Sequence, residues 1–193
     1  MNQTLLASTL FLSALACSSV ENRDPTGELF PAVKGEGLDG SSVSLPNDLA
    51  GAPAILLVGY VQDTQFDLDR WMLGLAQAGT PGRVLELPTI DGMASLFSSR
   101  IDEGMRGGIP QEDWPVVVTL YDAAAEKVLA LTGDERPRNG RVLLLDNQGH
   151  VAWFHDRGYS TGNLLALDAA VRELLAAGKT PDNAPVAPVI DAL

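Results

Sequence analysis

The sequence predicts one α/β domain in which a central mixed sheet is flanked by helices. Residues 54–60 form a continuous apolar run, which is typical of a strand covered on both faces, as in a parallel sheet. An amphipathic stripe over 68–76 and a second apolar strand over 83–87 follow, so the pattern is strand, helix, strand. With 193 residues, 46% of them hydrophobic, the chain is long and apolar enough to bury a core.

Two hairpins are predicted on either side of this unit. Asp39-Gly40 separates two short extended stretches and predicts a hairpin before the first core strand. The strands 141–145 and 150–154, joined by a polar turn, predict a second hairpin near the end of the chain. The remaining elements follow from apolar periodicity: a helix over 92–106, a strand over 116–121, a short helix over 122–131 and a last helix from Thr161 to Ala177.

The charge balance limits the partners that the chain can have. The sequence contains 13 lysines and arginines against 25 acidic residues, which gives a net charge of −12. Nucleic acid is therefore not an expected partner, because phosphate contacts need clustered basic residues. Arg136, Arg138 and Arg141 make the densest basic cluster. This cluster either contacts an acidic partner or lipid head groups, or is simply solvated.

The single cysteine, Cys17, directly follows a short apolar run over residues 5–16. The run is too short to span a membrane and has the length of the apolar core of a signal peptide. With Ala14 and Ala16 before the cysteine, it resembles the lipobox of bacterial lipoproteins. The resemblance implies a lipoprotein signal peptide over 1–16 and acyl chains on Cys17. The alternative is an ordinary secretory signal that leaves Cys17 as a free thiol.

The rest of the chain is divided on the basis of its composition. We expect a polar tether over 17–27, a folded domain over 28–178 and a disordered tail rich in Pro and Ala over 179–193. Several acyl chains on the cysteine would hold the protein stably on a membrane. Because Ser18, and not an aspartate, follows the cysteine, the periplasmic side of the outer membrane is the favoured location in the cell envelope.

The order of the predicted elements and two segments resemble the thioredoxin-like fold. The segment from Phe30 to Tyr60 resembles the start of peroxiredoxins and of membrane-anchored thioredoxin-like proteins of the TlpA type. Residues 141–153 resemble the terminal hairpin of these proteins. The resemblance implies a thioredoxin-like fold with an N-terminal hairpin extension and an inserted helix.

One family with this fold resembles the chain over residues 28–176. It is the family of mitochondrial ATP-synthase assembly factors named after ATPase complex subunit ten. The resemblance implies that the chain binds other proteins and assists their assembly. The matching positions are Phe30-Pro31, Trp71, Met105-Arg106, Ile109-Pro110 and residues 139–146.

The resemblance also predicts where thiol chemistry would occur and which residues stand there instead. Gln65 and Leu68 occupy the two positions of the CxxC motif, and neither side chain can act as a thiolate nucleophile. Gly140 occupies the position of the cis-proline that grips substrates. Because the one cysteine lies in the predicted signal region, disulfide exchange, cysteine-based peroxide reduction and copper delivery by a CxxxC pair are excluded. The absence of both the CxxC cysteines and the cis-proline favours a derivative of the fold that binds other molecules.

The candidate site is the rim where the loops 61–66, 136–141 and 153–158 are expected to meet. No catalytic residue, cofactor or metal ion is predicted. Asp63, Asp67 and Asp69 carry oxygen ligands suited to calcium, but acidic residues are also favoured at a helix N-terminus by the helix dipole. The candidate partner-binding residues are Gln62, Asp63, Thr64, Gln65, Arg138, Gly140, Trp153 and His155.

Three functions are compatible with these residues. The first is a lipid-anchored envelope protein with a redox-inactive domain that binds other proteins in assembly or as a chaperone. The second is a non-thiol enzyme in which Asp63, His155 or Asp156 form an acid–base pair, and hydrogen-bond contact between Asp63 and His155 would favour it. The third is a structural envelope lipoprotein. An open apolar patch at the rim would favour the first function, and a smooth charged rim the third.

Overall fold

This computed structural model describes residues 19–178 of the chain, which contain seven strands and four α-helices. The strands are β1 (Val33–Gly37), β2 (Ser42–Leu45), β3 (Ala54–Gly59), β4 (Arg83–Ile90), β5 (Val118–Tyr121), β6 (Arg141–Leu145) and β7 (Val151–His155). The helices are α1 (Gln65–Ala78), α2 (Ser98–Gly108), α3 (Asp122–Thr132) and α4 (Thr161–Gly178).

The strands form one mixed sheet in the order β2-β1-β5-β4-β3-β6-β7. The pairs β3–β4 and β4–β5 are parallel, whereas the hairpins β1–β2 and β6–β7 are antiparallel. The predicted α/β class, the central mixed sheet and both hairpins are therefore confirmed. Strand β4 extends to Ile90, past the predicted end at residue 87, because Thr89 and Ile90 pair with Leu120 and Tyr121 of β5.

The central strands are buried on both faces, which explains their continuous apolar sequences. Leu56 and Val58 of β3 point to a core that also contains Val128 and Leu131 of α3. The alternate residues of β3 point to the opposite core, which α1 and α4 cover. That second core contains Ile55, Leu57, Leu68, Trp71, Leu75, Val142, Leu144, Leu164, Leu167 and Val171.

The inserted segment differs from the continuous helix predicted over 92–106. A 3-10 helix spans Gly92–Phe97, and α2 begins only at Ser98. The Ser95 hydroxyl donates a hydrogen bond to the carbonyl of Gly92, which favours the tighter 3-10 turn. Leu96 and Phe97 consequently face solvent, with exposed fractions of 76% and 60%.

The segment before β1 lies against the domain. Sequence analysis assigned residues 17–27 to a tether, but the backbone N–H of Arg23 donates to the carbonyl of Thr132, and that of Gly27 to the carbonyl of Val151. The backbone N–H of Val20 donates to the carboxylate of Asp134. Val20 to Gly27 therefore belong to the domain surface, and any free tether is shorter than predicted.

Three further predictions concern the two ends of the chain. The signal peptide over 1–16, Cys17 and the tail over 179–193 lie outside the described residues. No helix within residues 19–178 is long and apolar enough to cross a membrane.

Candidate functional site

The start of α1 is tied to the loop that precedes β6. A single 3-10 turn, Gln62–Thr64, connects the end of β3 to this helix. The hydroxyl of Thr64 accepts a hydrogen bond from the backbone N–H of Val61 at 3.3 Å and donates to the carbonyl of Pro137 at 2.7 Å. Thr64 is buried, so its side chain shapes the rim but offers nothing to a partner. This corrects its prediction as a partner-binding residue.

The carboxylate of Asp67 joins the three segments of the rim. It is 6% exposed and accepts one backbone N–H from Gly140 at 2.9 Å and another from Tyr159 at 2.8 Å. A side chain at position 140 would force the terminal methyl group of buried Leu68 to move, so glycine eases the close approach of this loop to α1. Gly140 is buried and its N–H is occupied, which corrects its prediction as a partner-binding residue as well.

An aromatic cluster supports the rim from below. Trp71 of α1 is fully buried, and its ring centroid lies 6.3 Å from Trp153, 5.9 Å from His155 and 5.4 Å from Tyr159. Trp153 and His155 also stack, with centroids 5.9 Å apart. Trp153, a predicted partner-binding residue, therefore packs mainly inward against the second core.

Arg141 is a buried structural residue, which changes the interpretation of the basic cluster. Its guanidinium donates to four backbone carbonyls and to the side-chain oxygen of Asn22, and it lies 5.3 Å from the ring centroid of Tyr60. Burial lowers the pKa of the Arg141 guanidinium. The carbonyls belong to Gly133, Glu135, Arg136 and Asn139.

An open cavity of about 530 Å³ lies between the three segments of the rim. Its wall includes the start of α1, the loop before β6 and the loop after β7, and Asp67 forms part of the lining. Three arginines of different segments contribute side chains to it. The lining residues are Asp63, Phe66, Asp67, Arg70, Arg138, Asn139, Arg157, Gly158 and Tyr159.

The predicted rim residues therefore fall into different environments. Gln62, Asp63, Gln65 and Arg138 are exposed, and two of these line the cavity. Trp153 and His155 are partly buried and do not line it, and Thr64 and Gly140 are buried. Sequence reasoning missed Phe66, Arg70 and Arg157, which also line the cavity.

The contact between Asp63 and His155 that would favour the enzyme alternative is not formed. Asp63 pairs with Arg138 at 3.1 Å. The Nε2 atom of His155 lies 2.9 Å from the carbonyl of Gly158 and 3.0 Å from the amide nitrogen of Asn163. Asp63 and His155 are thus engaged with other partners and form no hydrogen bond with each other.

The predicted acidic cluster does not converge on one point. Asp63 pairs with Arg138, Asp67 accepts two backbone N–H groups, and Asp69 accepts a hydrogen bond from Gln65. Within residues 19–178, no three His, Cys, Asp or Glu side chains are arranged to hold a metal ion. For these three aspartates the interactions are those of a helix start and its neighbouring loops.

Comparison with known proteins identifies the fold. No protein-family model and no curated protein match the sequence. Among solved structures, BsSco, a member of the Sco family of cytochrome c oxidase assembly proteins, is similar with a TM-score of 0.56 and 10% identity, over 80% of this chain and 99% of that one. A protein described as a disulfide isomerase from Bacteroides thetaiotaomicron matches with a TM-score of 0.54 and 16% identity, over 82% and 95% of the two chains.

A third similar structure is the exposed lipoprotein thioredoxin Etrx1 of Streptococcus pneumoniae. It matches with a TM-score of 0.50 and 14% identity, over 72% of this chain and 98% of that one. The chain therefore has a thioredoxin-like fold. Disulfide exchange is the activity named for some of these structures, but this sequence contains one cysteine, and none lies within residues 19–178. The domain consequently lacks the thiols for that reaction.

Proposed function

We propose that this chain is a lipid-anchored protein of the cell envelope whose thioredoxin-like domain binds other proteins and performs no thiol chemistry. One observation carries the proposal. At the start of α1, where the sequence resemblance positions the reactive thiols, the chain has an open cavity with exposed Asp63, Arg138 and Phe66, and no cysteine. A surface of this kind can bind a partner, whereas it cannot exchange a disulfide.

The geometry of the rim supports binding because its parts are held in fixed positions. Asp67 and Thr64 connect α1 to both neighbouring loops, and Trp71 fills the space below. A surface that is already ordered loses little conformational entropy when a partner binds. The exposed ring of Phe66 gives this surface an apolar contact point.

The proposed role in assembly rests on the resemblance to the ATP-synthase assembly factors. The anchor rests on Cys17 and the apolar run before it, with the outer membrane as the proposed location. An anchored domain would meet its partners at the membrane surface, where a short connection raises their effective concentration. Because Val20 already contacts the domain, an anchor on Cys17 would hold the domain close to the membrane.

Site-specific photocrosslinking tests the binding surface. A photoreactive amino acid replaces Gln62, which is exposed beside the cavity, or Gln148, which is exposed in the turn between β6 and β7. We expect a discrete crosslinked protein in envelope preparations from the Gln62 position and none from Gln148. Crosslinks of equal yield at both positions, or none at either, would contradict binding at the rim.

Fatty-acid labelling tests the anchor separately. We expect that the wild-type chain incorporates labelled fatty acid and sediments with membranes, and that the Cys17→Ser variant does neither. Several buried acyl chains give stable membrane attachment, so the difference in sedimentation should be nearly complete. A wild-type chain without label would refute the anchor and leave the photocrosslinking result unaffected.

A further inference from the structure

The cavity at the rim contains an unusual concentration of positive charge. The chain carries a net charge of −12 and has 13 lysines and arginines in all. Three of these, Arg70, Arg138 and Arg157, come from three separate segments and line the same cavity. Three arginines in one cavity contrast with the negative net charge of the chain, and they favour a negatively charged ligand.

The two terminal nitrogens of each guanidinium group form no hydrogen bond with residues 19–178. Arg70 donates from Nε to the carbonyl of Phe66 at 3.0 Å, and Arg138 contacts Asp63 through Nε at 3.1 Å. Arg157 approaches Asp156 through Nε at 4.0 Å. No terminal nitrogen of these arginines has a hydrogen-bond partner among residues 19–178. Their outer N–H groups are therefore free to bind the two oxygens of a carboxylate.

The cavity is lined by three arginines and two aspartates, so a net positive charge remains after the carboxylates are counted. Asp67 is buried and its oxygens accept the N–H groups of Gly140 and Tyr159. Asp63 faces Arg138. Both carboxylates of the cavity thus have partners, whereas the terminal nitrogens of the three arginines have none among residues 19–178.

An apolar contact point lies within the same cavity. The ring of Phe66 is 70% exposed, although its size and hydrophobicity favour burial. It precedes Arg70 by four residues on α1, and side chains at this spacing share one face of a helix. A ligand that fills the cavity therefore meets cationic donors and an aromatic surface together.

We infer that the cavity binds an acidic segment of a partner protein, with one or more carboxylates on the arginines and an apolar side chain against Phe66. The inference rests on the proposed binding function and specifies its partner. Anionic lipid head groups offer similar charge, but a chain with a net charge of −12 is repelled by an anionic membrane surface. A recess between loops also suits a peptide side chain better than a flat membrane.

Peptide binding to the full chain in neutral detergent tests the inference. The probes are a fluorescein-labelled peptide of alternating Glu and Leu and the same peptide with Gln in place of every Glu. We expect the acidic peptide to bind and the neutral peptide to bind at least about tenfold more weakly, since a charge-assisted hydrogen bond is worth this much or more. Added salt should weaken binding of the acidic peptide.

Variants locate the effect. Arg138→Gln combined with Arg157→Gln should weaken binding of the acidic peptide at least about tenfold. The control Arg100→Gln, which changes an exposed arginine on α2 outside the cavity, should leave binding unchanged. Phe66→Ser should weaken both peptides. If each variant keeps the wild-type thermal unfolding temperature, the loss of peptide affinity comes from the changed surface and not from unfolding.

Three outcomes of the peptide-binding experiment would overturn the inference. The first is equal affinity for the acidic and neutral peptides, and the second is no binding of either peptide. The third is displacement of the peptide by phosphatidylglycerol mixed into the neutral micelles, which would make the surface a lipid site. A Gln62 crosslink that persists in the double arginine variant would also refute the acidic ligand, yet it would leave the proposed protein-binding function intact.

Discussion

Arg138 and Arg141 lie three positions apart in sequence but belong to two different regions of the rim. Arg141 is fully buried and donates to four carbonyls and to Asn22. The side chain of Arg138 is 79% exposed, and its one ion pair among residues 19–178 is with Asp63. The first arginine holds the loop before β6 in shape, and the second presents its charge to solvent.

The same contrast separates Asp67 of α1 from Asp63, which lies in the 3-10 turn just before that helix. Asp67 is buried and binds two loops, whereas Asp63 is about half exposed and pairs only with Arg138. Residues of equal charge thus fall into two groups. Buried Arg141 and Asp67 form a supporting layer, and exposed Arg138 and Asp63 form a presenting layer. Substitutions in the supporting layer should reduce stability, and substitutions in the presenting layer should reduce binding with little effect on stability.

Replacement of Arg141 should have the largest effect on folding. Arg141→Met removes the donors to the carbonyls of Glu135 and Asn139, which have no other donor among residues 19–178, whereas the carbonyls of Gly133 and Arg136 each keep one. We expect a loss of about 3 kcal/mol in the free energy of unfolding. Denaturant unfolding of the full chain measures it. A loss below about 1 kcal/mol would mean that the loop keeps its shape without the guanidinium.

The supporting layer was largely invisible in the sequence, whereas the sheet was not. Continuous apolar runs and the Asp39-Gly40 turn predicted the core strands and the hairpins, because both signals are local. Asp67, by contrast, bonds to residues 73 and 92 positions away, and no local pattern marks such a contact. The arginine cluster was only partly predicted, since Arg70 and Arg157 join Arg138 only after the chain folds.

Asp67→Asn should have an intermediate effect. An amide side chain has one acceptor oxygen and can satisfy only one of the two backbone N–H groups that Asp67 now binds, so we expect a loss of about 2 kcal/mol in the free energy of unfolding. Asp69→Asn is the matched control, because Asp69 is exposed on the same helix and, among residues 19–178, accepts a bond only from Gln65. A loss of equal size in both variants would refute the bridging role of Asp67.

Arg138→Gln should change stability least, by no more than about 0.5 kcal/mol, because the pair with Asp63 is exposed and screened by solvent. Asp63→Asn should cost as little, and a double-mutant cycle of the two should give a coupling energy near zero. Unfolding in denaturant measures all three variants. A coupling above about 1 kcal/mol would instead make the pair part of the supporting layer. In that case Arg138 would not be free to turn from Asp63 to a ligand carboxylate, and the division between the two layers of the rim would have to be redrawn.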